Sequence, residues 1–220
     1  MNNNLTEIVF ILDRSGSMAG LEDDTIGGFN AMVAKQKQEP GEALLSAVLF
    51  SDDAQVLYDR MDIRKVEPMT DRQYRVGGCT ALLDAIGGAV HHIGNVHKYA
   101  REEDRPGKTI FVITTDGMEN ASRSYTYAEV QKMVRRQQEK YGWEFLFLGA
   151  NMDAISAARS FGIRSDRAVR YERDSAGTAL NFQVVSETVA KYRIGEEIDE
   201  AWSAPIAADY QKRGKTSKED

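Results

Sequence analysis

Short runs of uninterrupted apolar residues alternate along this chain with longer stretches in which apolar side chains return every three or four positions. "EIVFIL" (7–12), "ALLSAVLF" (43–50), "TIFVITT" (109–115) and "WEFLFLG" (143–149) are of the first kind. Each has strand length, and the near absence of polar alternates predicts burial on both faces, as in a parallel sheet. The second kind predicts helices. Leu21, Ile26, Phe29, Met32 and Val33 recur at helical spacing until "EPG" stops them. Leu82, Ile86, Ala89, Val90, Ile93 and Val96 share one side of a longer helix that "RPGK" breaks. "YTYAEVQKMVRRQQEKYG", "DAISAARSFGI" and "GTALNFQVVSETVAKYR" predict three more. "AQVLYDR" follows its predecessor after only "SDD", too short for a crossover, so it is expected to pair antiparallel; "RAVRYE" reads as a short edge strand.

This order predicts an α/β fold of Rossmann-like type: a doubly wound, mostly parallel sheet with one antiparallel edge strand and helices on both faces. No internal repeat or low-complexity linker divides the 220 residues, which suit one domain. Its expected extent is residues 5–195, with 196–220 a polar C-terminal extension expected to be frayed. A net charge of −6 and a pI near 5.3 provide no field for polyanions, so no nucleic acid and no membrane are expected as partners. "KMVRRQQEK" reads as the solvated side of a helix. The one cysteine, Cys79, excludes an intrachain disulfide and suits a reducing compartment. "MNNNLTEIVFILD" lacks a basic n-region, and with it the expected location is cytoplasmic.

In open α/β sheets, ligands sit outside the carboxyl ends of the strands. Asp13 follows the first strand and Asp116 follows "TIFVITT", so both fall on one rim. "DRSGSM", "GGCTALLD" and "TTDGMEN" bring to that rim Asp13, Ser15, Ser17, Thr80 and Asp116, oxygen donors without a ring nitrogen or thiolate. Hard divalent cations, Mg²⁺ above all, prefer such a set. Two carboxylates nearly neutralise the ion, the hydroxyls leave it electrophilic, and an anionic ligand from outside is still wanted. Gly16 lets the first loop turn tightly, as Gly77 and Gly78 do before Thr80. Glu119, Asn120 and Asn151 lie on the same rim as candidates to tune the site or meet a partner.

D-x-S-x-S at Asp13, Ser15 and Ser17, a distant Thr80 and a later Asp116 resemble the metal-ion-dependent adhesion site (MIDAS) of the von Willebrand factor A (vWA) domain family. "GGCTALLDAI" is similar to the family's G-x-T-x-L-x-D-A segment and adds Asp84. The chain resembles a stand-alone, intracellular, bacterial-type member with the motif complete. The resemblance implies that Ser15 and Ser17 bind the ion directly, that Thr80 joins when a ligand is engaged, and that Asp13 and Asp116 act mainly through ordered water. It implies Mg²⁺, with Mn²⁺ as a substitute, and a protein partner whose Asp or Glu carboxylate completes the coordination. Intracellular members often accompany an ATPase or stress-response component. Binding rather than catalysis is the implied function, so the chain is expected not to be an enzyme.

Competing readings fare less well. An ordinary strand-to-helix turn, with Ser or Asp as a cap, explains "DRSGSM" alone but not its match with Thr80 and Asp116. An EF-hand needs Gly where Met18 stands. A phosphotransferase of the haloacid dehalogenase type needs a second Asp where Ser15 stands, which leaves a metal-dependent phosphate-ester hydrolase as the runner-up without its acid/base. No serine occupies a G-x-S-x-G elbow, and Walker A and G-x-G-x-x-G are absent. His91, His92 and His97 point apart on a helix and read as surface or flanking residues. Cys79 has no basic neighbour to activate it.

Overall fold

The computed structural model describes residues 1–216. Strands β1 (Asn2–Asp13), β2 (Glu42–Phe50), β3 (Ala54–Asp62), β4 (Pro106–Thr115), β5 (Glu144–Gly149) and β6 (Ala168–Arg170) form one sheet in the order β3-β2-β1-β4-β5-β6. All neighbours run parallel except β3, which pairs antiparallel with β2 at the edge. The helices are α1 (Glu22–Gln36), α2 (Leu82–Tyr99), α3 (Tyr127–Tyr141), α4 (Ala154–Ser160), α5 (Ser175–Arg193) and α6 (Ala204–Thr216). The doubly wound sheet with one antiparallel edge strand is therefore as the hydrophobic pattern predicts.

The continuous apolar runs exist because each strand serves two cores. Ile8, Phe10 and Leu12 of β1 face one cluster with Ile110, Val112, Leu146 and Leu148, covered by α1 and α5. Val9 and Ile11 face the other, with Phe111, Ile113, Phe145 and Phe147, covered by α2, α3 and α4. Period-two alternation thus sorts apolar side chains between two layers rather than between core and water. Helix ends follow local chemistry. Thr126 and Glu129 make a reciprocal capping box on α3, which Gly142 ends in the left-handed region; Asp153 and Asp174 cap α4 and α5.

The long connection from β3 to α2 is pinned rather than loose. Val66, Met69 and Tyr74 are buried in the first core. Asn30 exchanges two hydrogen bonds of 2.8 Å with the Met69 backbone, and Lys37 Nζ donates to the Val66 carbonyl at 2.7 Å. These anchors fix the approach to Thr80.

Two expectations are corrected. The stretch after residue 195 is not a frayed extension within its described part. Ile198, Trp202 and Ile206 are buried in the first core, Trp202 Nε1 donates to the Asp166 carbonyl at 2.9 Å, and Arg170 stacks over the Tyr210 ring. Three apolar side chains spaced through a polar stretch suffice to dock it; residues 217–220 lie outside the described residues. Ile206→Val is expected to lower stability by about 1 kcal/mol in urea unfolding, whereas a frayed segment gives no change. The second correction concerns His97, read as a surface or flanking residue. It is buried, lies 3.2 Å from Glu7 Oε2, and packs edge-on against Trp143.

Candidate metal centre

The carboxyl ends of β1 and β4 are adjacent at the point where the chain winds off in opposite directions, and there the structure brings together Asp13, Ser15, Ser17, Thr80 and Asp116. Asp13, Ser15, Thr80 and Asp116 are buried, while Ser17 is exposed. Ser15 Oγ and Ser17 Oγ are 3.0 Å apart, and Ser17 Oγ donates to Asp116 Oδ1 at 2.5 Å. Asp13 is clamped from three sides. The Ser15 N–H donates to Oδ1 at 2.7 Å, Thr115 Oγ1 donates to Oδ2 at 2.6 Å, and the Tyr74 hydroxyl donates to its backbone carbonyl at 2.5 Å.

The D-x-S-x-S loop and the double glycine are laced together by their backbones. Gly77 N donates to the Arg14 carbonyl at 2.9 Å, and Gly16 N to the Gly78 carbonyl at 3.0 Å. Gly78 has φ +79°, and a Cβ there would lie 2.2 Å from Asp52 Oδ2, so only glycine meets both demands. Asp52 in turn accepts from the Cys79 N–H at 2.8 Å. A hydrogen bond from the Cys79 thiol to that carboxylate, and the charge itself, raise the thiol pKa, the reverse of activation.

The remaining rim candidates divide by role. Asn120 Oδ1 accepts from Thr80 N at 2.8 Å and its own N–H donates to the Thr80 carbonyl at 3.1 Å, which holds Thr80 at the site. Glu119 faces inward, taking the N–H groups of Leu83, Ala121 and Ser122 and the Ser122 hydroxyl. Asp84 accepts from the N–H groups of Arg123, Ser124 and Tyr125. Burial opposes its ionisation, but those donors prevail and its pKa falls below the usual carboxylate range. Glu119 and Asp84 are thus loop organisers whose carboxylates are already saturated. Asn151 follows β5 with φ +53° and is exposed, and among the described residues no hydrogen bond ties it to the donor set.

Does this donor set suit a hard cation? Burial raises the pKa of Asp13; bonds from Ser15 and Thr115 pull it down, and the nearby Asp116 charge adds to the rise. Two carboxylates held in a low-dielectric cleft call for positive charge between them. Gly117 supplies the space. A Cβ at this position would lie 2.9 Å from Thr80 Oγ1 and 3.4 Å from Ser17 Oγ, so the missing side chain is what lets both hydroxyls come close to the loop after Asp116. The residues present therefore fit a small divalent ion. Among the described residues no group of three or more His, Cys, Asp or Glu side chains is placed to share one, so a site here would rest on hydroxyls and two carboxylates.

One participant carries no sequence signal. Arg173, between β6 and α5, directs Nε to Asp116 Oδ2 at 2.5 Å and Nη2 to the backbone carbonyls of Ser17 and, at 2.9 Å, Ala19. Gly117, Thr115 and Tyr74 also go unpredicted as site residues. A glycine directly after Asp116 was the one legible hint.

No protein-family model and no curated protein match the sequence. Solved structures do resemble it in fold. The chain superposes on proximal thread matrix protein 1 from the mussel byssus, in a form with a zinc-occupied MIDAS motif, with TM-score 0.57 and 16% identity over 84% of this chain and 46% of that one. A von Willebrand factor type A protein from Catenulispora acidiphila gives TM-score 0.55 and 15% identity over 87% and 43%. The pilus adhesin SpaC from Lactobacillus rhamnosus GG gives 0.63 and 10% over 85% and 31%. This chain thus spans less than half the length of each of these three. The fold is that of vWA domains. No described helix is long and apolar enough to cross a membrane.

Proposed function

We propose that this chain is a non-catalytic, metal-ion-dependent protein-interaction module. Ser15, Ser17 and Thr80, with Asp13 and Asp116, would hold a divalent cation, Mg²⁺ or in its place Mn²⁺. The ion supplies an electrophilic position for one further oxygen ligand, an Asp or Glu carboxylate of a protein partner. The observation that carries this reading is the contiguous chain of Ser15, Ser17 and Asp116 oxygens, with the Thr80 hydroxyl brought close beside Gly117. The likeness to a fold neighbour with a zinc-occupied MIDAS supports it.

The chain's own residues suit binding better than bond breaking. Both Asp13 oxygens already accept strong hydrogen bonds, and no histidine stands at the rim to move a proton: His91 meets Tyr125, His92 meets Asp59 and His97 meets Glu7. Asp13 and Thr115 instead hold Ser15 and the loop in place. We assign the module to the cytoplasm, where its free, exposed Cys79 would stay reduced, and take an ATPase or stress-response component as the class of partner.

Calorimetric titration of Mg²⁺ and Mn²⁺ into metal-stripped wild type and Ser15→Ala tests the reading. One-site binding is expected in the wild type and its loss in Ser15→Ala, with an unchanged thermal midpoint because the ligands sit on loops above an independent core. Equal heats in the two proteins would refute the assignment. Mg²⁺-dependent turnover of a generic phosphate ester, lost in Asp13→Ala, would favour a hydrolase instead.

A further inference from the structure

We propose that Arg173 is the resident cation of this site, an internal competitor that a divalent ion must displace from Asp116. The inference rests on the metal-site reading above and adds what sets the affinity of that site. Asp116 has a fully buried side chain, and its two oxygens are already committed, Oδ1 to Ser17 and Oδ2 to the Arg173 guanidinium. The same guanidinium braces the loop that carries Ser17 through the Ser17 and Ala19 carbonyls. It therefore holds the Asp116 carboxylate and the loop that carries Ser17 together.

Charge explains why the exchange is feasible. A guanidinium offsets one of the two buried carboxylates, whereas a divalent ion offsets both, so the ion can replace Arg173 without leaving Asp116 bare. Geometry says how far the chain must move. The Arg173 side chain is 29% exposed and has water on one side. Its neighbours are fixed: Tyr171 is buried and donates its N–H to the Gly149 carbonyl at 3.2 Å, while Asp174 caps α5 through Gly177 N at 2.7 Å. Asp174 also pairs with Arg213 of α6. The release is thus a rotation of one side chain outward, with α5 left in place.

Mg²⁺ titration into metal-stripped wild type, Arg173→Gln and Arg170→Gln separates the outcomes. A charge-assisted hydrogen bond is lost on displacement in the wild type alone, so Arg173→Gln is expected to bind Mg²⁺ about tenfold more tightly or better. Its metal-free thermal midpoint should fall, because Asp116 loses its partner, and Mg²⁺ should raise it more than in the wild type. Arg170→Gln removes a nearby positive charge that does not touch Asp116, and should leave the affinity within about twofold. Arg173→Lys keeps the charge without the fork and reports in the same direction should the glutamine variant fail to fold. Unchanged or weaker binding in Arg173→Gln, with normal binding in the wild type, overturns the role of Arg173 and leaves the metal site standing. An equal gain in Arg170→Gln overturns it too, since bulk charge then explains the effect. Absence of heat in every variant overturns both the inference and the metal-site reading.

Discussion

Alanine at position 117 is expected to weaken divalent-ion binding by about 10–100-fold, the scale on which metal sites respond when the residues around their ligands are altered. The cause is steric and local. The added methyl group would fall 2.9 Å from Thr80 Oγ1, closer than real Cβ contacts come, and 3.4 Å from Ser17 Oγ. Both hydroxyls would have to retreat from the positions at which they could meet an ion. Gly117 does not lie in the left-handed region, so the substitution adds no backbone strain, and the unfolding midpoint of the metal-free protein should barely move. Calorimetry and a thermal scan on one preparation check the two halves together. Undiminished affinity would mean that Thr80 and Ser17 do not converge on the ion. A large fall in the midpoint would make Gly117 a residue of the fold instead.

That glycine marks the limit of what the sequence discloses. Strands and helices were legible because hydrophobic period is a direct record of burial, and the order of elements then put Asp13 and Asp116 on one rim. The D-x-S-x-S loop, Thr80 and Asp116 could be grouped because each sits where a strand or helix boundary is itself predictable. Arg173 could not. It is one of many arginines, 57 positions from Asp116, and only the folded loop between β6 and α5 gives it meaning. Glu119 and Asp84 could be named as candidates, but what they do could not be read, for a related reason. The backbone N–H groups that saturate their carboxylates are invisible until the loop after Asp116 is closed. The docking of Trp202 and Ile206 was missed because isolated apolar residues in a polar stretch have no period.

Glu7 makes the largest stability prediction. It is the one charged residue of "EIVFIL", and its side chain is fully buried on β1. Oε2 accepts from Arg60 Nε at 2.8 Å and from His97 Nε2 at 3.2 Å, while Oε1 has no partner among the described residues. Arg60 reaches it from the edge strand by an unusual route. It adopts φ +47° where the β2–β3 register shifts, its N–H donates to Ser46 Oγ at 2.9 Å, and the bulge turns the guanidinium inward. Arg60→Ala removes the one permanent positive charge in contact with Glu7, and should cost about 3–5 kcal/mol in urea unfolding, as when a buried ion pair loses one partner. Adding Glu7→Gln to Arg60→Ala should return part of that loss, because the charge stranded by the first change is then absent. A cost below about 1 kcal/mol for Arg60→Ala, the range of exposed pairs, would show that Glu7 does not depend on it. Glu7 lies at the middle of β1, six positions before Asp13, so Mg²⁺ affinity should be the same in Arg60→Ala as in the wild type under conditions where both are folded. A loss of affinity along with stability would mean that this buried pair positions the rim, and that the middle of β1 and its carboxyl end act as one unit.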